Sequence, residues 1–155
     1  MNVKFMFRMV LQETFILTDA VLIENETHIR RTLNSKITPL SNGEYLFDLN
    51  DTSSTAFFGL GNNGVLIGTV NGDTIEFDVT AYTGTVQLRF DDSPTFLIRT
   101  IRSIGHYKLV YEGTSVKLYL DGVLVDNLSC DNTTRNFQFR VSANSSVTVK
   151  NWLYY

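Results

Sequence analysis

The stretch "TIEFDVTAY", residues 74–82, places two carboxylates, Glu76 and Asp78, two positions apart around Phe77. In a β-strand that spacing sets both carboxylates on one face, with Phe77 and Val79 on the other. Paired carboxylates on one sheet face are what a retaining glycosidase requires. The same alternation also describes any half-exposed strand, and the rest of the sequence favours that second reading.

Other groups with chemical potential are sparse. "GLGNNG", residues 59–64, satisfies G-x-G-x-x-G, but "VLIGTV" follows it and reads as a strand. A dinucleotide site needs a helix N-terminus at that point to receive the phosphate, so this is a loop between strands. Cys130 is the single cysteine, which rules out an internal disulfide; it lies among Asn and Asp with no local cation to activate its thiol. His28 and His106 are far apart and form no zinc pattern with it. No G-x-S-x-G elbow is present. For a hard cation such as calcium, Asp91 and Asp92 in "FDDSP" are the candidate ligands, with Asp131 and Asn132 in "CDNTT" as a second pair. Asp-Asp before Ser-Pro is also ordinary turn chemistry, and no cofactor is expected.

The elements that must position these groups are strands. Alternating runs are expected near 3–11, 14–24, 28–33, 44–49, 55–60, 64–70, 74–80, 85–91, 95–102, 106–112, 115–121, 123–127, 135–142 and 146–154. Turn-forming stretches separate them, among them "SNG", "NGD", "TGT", "EGTS", "DNTT" and "ANSS". Short strands with frequent turns predict an all-β sandwich or barrel, with at most one helical turn. In "SVKLYLDGVLVD", residues 115–126, Val116, Leu118 and Leu120 point one way and Lys117 and Tyr119 the other. Asp121-Gly122 supplies the positive φ pair of a type I′ hairpin, and Val123 and Val125 continue the apolar pattern on the return strand. With "HYKLVYEGTS" before it, this predicts a three-strand meander with one wet face.

Composition fits that class. The chain has 155 residues, 43% hydrophobic and 19% charged, with eleven Phe, seven Tyr and one Trp. That is the size of one domain, residues 1–155, with no linker or repeat. A net charge of −3 argues against nucleic acid, which calls for a clustered positive field; Arg30-Arg31 is the densest basic spot. No apolar run reaches the ~20 residues that cross a bilayer. Lys4 and Arg8 interrupt the apolar N-terminus, so no signal peptide is expected, and the sequons at Asn25, Asn50, Asn127, Asn132 and Asn144 are assigned no glycans.

"GHYKLVYEGTSVKLYLDGVLV", residues 105–125, resembles the signature of concanavalin A-like lectin/glucanase domains, in particular the laminin-G-like and pentraxin-like branch. His106, Tyr111, Gly113, Leu118, Tyr119, Asp121 and Gly122 carry the match, and "SVTVKNWLYY" looks like the closing strand of such folds. The recognisable part covers about a third of the chain. The resemblance implies a two-sheet antiparallel jelly roll, with the closing strand beside the N-terminal one. One branch of that superfamily is the laminarinase-like glycosidases, whose active strand resembles E-x-D-x-x-E or E-x-D-x-E. Here Thr80 or Ala81 fills the third place, so no carboxylic acid stands there to protonate the leaving sugar oxygen. The tryptophans of a sugar cleft are missing as well, since Trp152 is the only one. No catalytic residue is therefore assigned.

What remains is recognition at a surface. A sugar site pairs an aromatic face with Asn or Asp; Tyr82 in "TAYTG" is the leading platform, with Asn62, Asn63, Asp91 and Asp92 as polar partners. Tyr119 and Tyr45 are alternatives on strands. The expectation is a single-domain antiparallel β-sandwich jelly roll that binds glycans without catalysis. The competing reading is a virion structural protein, a tail, fibre or capsid-decorating component, using the fold for assembly with other subunits or with copies of itself. Aromatics near the C-terminus would suit such a contact. Met1, the lack of a secretion signal and the lack of a disulfide point to a phage or viral origin, hence a virion or extracellular surface; otherwise the expected location is cytoplasmic.

Overall fold

Alternation of large apolar with polar side chains, broken by Gly and Asn, divides the chain into short strands. The structure, a computed structural model, describes residues 29–31, 36–49, 55–62, 65–66, 68–69, 74–92, 95–129 and 135–154. In chain order the strands are β1 (Ile29–Arg31), β2 (Lys36–Pro39), β3 (Tyr45–Leu49), β4 (Thr55–Asn62), β5 (Val65–Leu66), β6 (Gly68–Thr69) and β7 (Thr74–Thr83). They continue as β8 (Val86–Asp92), β9 (Thr95–Thr100), β10 (Gly105–Glu112), β11 (Ser115–Leu120), β12 (Val123–Ser129), β13 (Arg135–Ser142) and β14 (Ser145–Tyr154). One 3₁₀ turn, Ser41–Gly43, joins β2 to β3. The strands expected near 3–11 and 14–24 lie outside the described residues, as do His28, Asn63, Cys130, Asp131 and Asn132.

The strands pair antiparallel into two sheets. Sheet I has the order β1-β4-β13-β8-β9, with β5 on β4 and β6 on β13; sheet II has the order β12-β11-β10-β7-β14-β3-β2. The chain passes repeatedly between the sheets, giving an all-β antiparallel sandwich of jelly-roll type. The inward positions of both sheets meet in an aromatic core. Phe47 of β3 stacks on Phe58 of β4 at 4.8 Å, Phe77 of β7 lies 5.6 Å from Phe137 of β13, and Trp152 packs edge-on to Phe139 at 5.2 Å. Such aromatic pairs add ~0.5–1.5 kcal/mol each beyond their burial.

The meander forms as its turn chemistry dictates. Asp121 and Gly122 have φ of 49° and 80°, both positive, and β10, β11 and β12 are neighbours. Val123 and Val125 depart from expectation: with Leu124 they are exposed, and core contact on β12 resumes at Leu128. A bulge between Leu118 and Tyr119 shifts the pairing, so Leu118 faces Asp126 and Tyr119 faces Leu124, which breaks the alternation. Asp126 is ion-paired with Arg99, so the edge strands β12 and β9 of opposite sheets are tied together.

Strand β2 adds to the expected elements, and two aromatics expected at the surface are corrected. The strand β2 has a single buried residue, Ile37, and ends at Pro39, which the sheet edge tolerates; it is too short to show a period. β14 pairs with β7 along its length and with β3 over its first half; the N-terminal strand expected beside it lies outside the described residues. Trp152 and Tyr45 are core residues, 1% and 2% exposed, so neither is a contact or stacking residue at the surface.

Candidate functional site

The opening pair of carboxylates sits where period-2 alternation puts it. Glu76 and Asp78 project from the outer face of sheet II, while Ile75, Phe77 and Val79 are buried. What the spacing alone does not show is the company that the register brings. His106 of β10 is the Cα partner of Asp78, and Lys108 is the partner of Glu76. From the other side, Lys150 of β14 is opposite Asp78.

These groups interlock. His106 Nδ1 donates to Asp78 Oδ1 at 2.7 Å, and the Nε2 of the same ring lies 3.3 Å from Glu76 Oε2. Lys108 Nζ is 2.9 Å from Glu76 Oε1. Asn151 Nδ2 donates to Asp78 Oδ2 at 2.7 Å. The carboxylates are the sheltered members, with side chains 15% and 23% exposed, while His106 and Lys108 are 42% and 40% exposed. Each donor therefore presents a solvent-facing side beside an acceptor held in place by the sheet.

The supports of the cluster are local. Asn151 reaches Asp78 from a positive-φ position (51°) at a bulge between Lys150 and Leu153. The His106 backbone is clamped to the hairpin: its N–H donates to Asp121 Oδ1 at 2.8 Å, and Asp121 N–H donates back to His106 O at 2.8 Å. Gly105, φ 145°, is needed there because a Cβ would lie 2.8 Å from Asp121 Oδ2. Tyr119 is the Cα partner of Lys108 on β11 and belongs to the same outer face.

The remaining expected site residues do not gather here. Tyr82 is half-buried and packs against the core at the β7–β8 turn. Asp91 and Asp92 lie at the opposite end of β8, on sheet I, opposite Phe96 and Thr95 of β9. Asn62 is also on sheet I, at the end of β4 beside Val65. The proposed platform and its polar partners are thus on different sheets, and the seven residues of β8 carry Asp91 and Asp92 ~20 Å from the turn beside Tyr82. Tyr119 alone joins the cluster. His106, Lys108 and Asn151 were not assigned from sequence as partners of the pair; the His106 match to the lectin-like signature was the only trace of them. Among the described residues no group of three or more His, Cys, Asp or Glu is arranged to hold a metal ion. Nor is any helix among them long and apolar enough to cross a membrane.

The same outer face carries an open cleft of about 420 Å³ at its far end, lined by Lys36, Leu46, Asp48, Thr83 and Ser146 among others.

No protein-family model matches the chain, and no curated protein matches it in sequence. Its fold is shared with solved structures. A sialidase is similar with a TM-score of 0.58 and 13% identity over 82% of this chain, which spans only 16% of the sialidase chain. A carbohydrate binding module from Bacillus subtilis gives 0.54 and 17% identity, covering 80% of this chain and 94% of that one. The marine alginate lyase from Zobellia galactanivorans gives 0.56 and 11% identity, covering 88% and 98%. At these identities the likeness is one of fold: an antiparallel β-sandwich found in carbohydrate-binding modules and in carbohydrate-active enzymes alike. The virion expectation gains no support from these likenesses.

Proposed function

We propose that this protein is a non-catalytic carbohydrate-recognition module whose ligand lies on the outer face of sheet II. The observation that carries the reading is the interlocked set Glu76, Asp78, His106, Lys108 and Asn151. In it an acceptor and a donor stand side by side, each fixed by the other. Neighbouring hydroxyls of a sugar ring, each donor and acceptor at once, match such alternation, and Tyr119 offers an aromatic surface beside Lys108. The fold shared with a carbohydrate binding module supports the assignment.

One observation supports binding without cleavage. Thr80 and Ala81 stand where a second carboxylic acid would serve a retaining mechanism. Both ring nitrogens of His106 are engaged by carboxylates of the cluster, which hold the ring as one of its binding groups. The test is a glycan array with wild type and the Glu76→Gln/Asp78→Asn variant, together with a reducing-end assay on every glycan retained. Binding that the double variant loses, with no new reducing ends, is the expected result. Hydrolysis by the wild type that the variant lacks would make the protein an enzyme.

A second reading, subunit assembly through the jelly roll, rests on Val123, Leu124 and Val125, which are 64%, 50% and 52% exposed on the edge strand β12. Sedimentation separates the two: a monomer that Val125→Lys leaves unchanged speaks against assembly through this edge.

A further inference from the structure

The cleft at the far end of the outer face is not part of the Glu76–Asp78 cluster, yet it is built from the same kinds of group. Register aligns Lys36 of β2 with Asp48 of β3, Asp48 with Ser146 of β14, and Ser146 with Thr83 of β7. The row therefore crosses four neighbouring strands, offering an ammonium, a carboxylate and two hydroxyls in turn. Among the described residues, the side chains of Lys36 and Asp48 make no hydrogen bond or ion pair with one another or with a third residue, and both line the cleft.

The floor is fixed. Thr83 Oγ1 and Ser146 Oγ are hydrogen-bonded at 2.9 Å, Ser145 Oγ accepts from Thr85 N–H at 2.9 Å, and the same hydroxyl donates to Ala143 O at 3.2 Å. Gly84, φ 65°, allows this turn to close on Ser145, whose Oγ would be 2.2 Å from a Cβ at that position. A preformed polar cleft of this kind loses little conformational freedom when a ligand enters.

The path between cleft and cluster is low. Thr83 lies five positions along β7 from Asp78, ~16 Å at the rise of a strand. The side chains along it are Thr80 and Ala81, with Thr148 the partner of Ala81 on β14. All three side chains are small; Ala81 is exposed, while Thr148 is 8% exposed and Thr80 Oγ1 is buried.

We infer that the cleft is a second subsite for the same ligand, so that one oligosaccharide chain spans from His106 to Asp48. This rests on the reading of the outer face as a glycan surface, and it assigns the ligand class as an extended glycan rather than a terminal sugar. A single sugar ring reaches only one of the two places.

The test is calorimetric titration of wild type, Asp48→Ala and Glu76→Gln with disaccharides and hexasaccharides of the cello-, manno- and mannuronate series. Asp48 is half-exposed at a strand surface, so the variant is expected to fold, and circular dichroism with thermal melting checks that it does. The expected result is a hexasaccharide that binds wild type at least about tenfold tighter than its disaccharide. Asp48→Ala removes most of that gain and leaves the disaccharide unchanged, while Glu76→Gln weakens both. Equal affinity for both lengths, or a hexasaccharide indifferent to Asp48→Ala but lost in Glu76→Gln, overturns the second subsite and leaves the first standing. If wild type binds no member of the three series, both readings fall.

Discussion

Asn151 sits in the left-handed region at φ 51° and from there donates its amide hydrogen to Asp78 Oδ2 at 2.7 Å. Asparagine is among the few residues that tolerate this backbone, and a residue with a Cβ and no local polar compensation costs ~1–2 kcal/mol there. Asn151→Gly is therefore expected to keep near wild-type stability in urea unfolding, while Asn151→Ala loses ~1–2 kcal/mol. Both should weaken glycan retention, because each frees Asp78 from one of its donors. Equal stability of the two variants would show that the backbone at the bulge is not the constraint.

Trp152 lies in the core, 1% exposed, against Phe47, Phe137 and Phe139. As the only tryptophan it reports on the interior. Its emission should be blue-shifted, resistant to acrylamide and unchanged on adding a glycan. Trp152→Ala should cost ~3–5 kcal/mol through the cavity it leaves. Ligand-induced quenching would place the sugar elsewhere than the outer face.

Tyr107 stacks on Phe77 at 5.5 Å and donates its hydroxyl to Ser103 O at 2.7 Å. Burial, partly offset by that hydrogen bond, raises its pKa above the ordinary 10.0. The folded state thus holds the proton more tightly than the unfolded chain. The resulting stability is complete below pH 10 and is lost as pH rises from there through the folded-state value. Tyr107→Phe should lower stability at neutral pH by ~1 kcal/mol and flatten the alkaline decline. An alkaline profile as steep in the variant as in wild type would contradict this.

Arg99 and Asp126 join the edge strands of the two sheets. With side chains 43% and 30% exposed, the pair is screened by water and salt. A double-mutant cycle with Arg99→Ala and Asp126→Ala should give a coupling of ~0.2–1 kcal/mol, smaller at high salt. A larger, salt-independent coupling would mean that the edge is drier than this exposure indicates.

The fold was legible because its signals are local. Alternation marked β7 and β10, and Asp121-Gly122 fixed the hairpin between β11 and β12. The bulges were not legible. One leaves Val125 as the extra residue of β12, and another turns Asn151 toward Asp78. An extra residue in a strand leaves no periodic trace. The carboxylate pair could be read, since two positions apart on one strand is a statement about sequence. Its partners could not, because His106 and Asp78 are 28 residues apart and meet only through the β7–β10 register. Tyr82, Asp91 and Asp92 looked adjacent for the opposite reason: closeness in sequence hid a strand between them.

The most direct test is to map a bound glycan by amide chemical shifts on 15N-labelled protein, using a saccharide retained on the array. The account predicts shifts concentrated at residues 76–80, 106–108, 119 and 150–151, reaching 48 and 146 for long chains, with β8 and β13 unmoved. Shifts centred on Asn62, Asp91 and Asp92 would place the ligand on sheet I and contradict it.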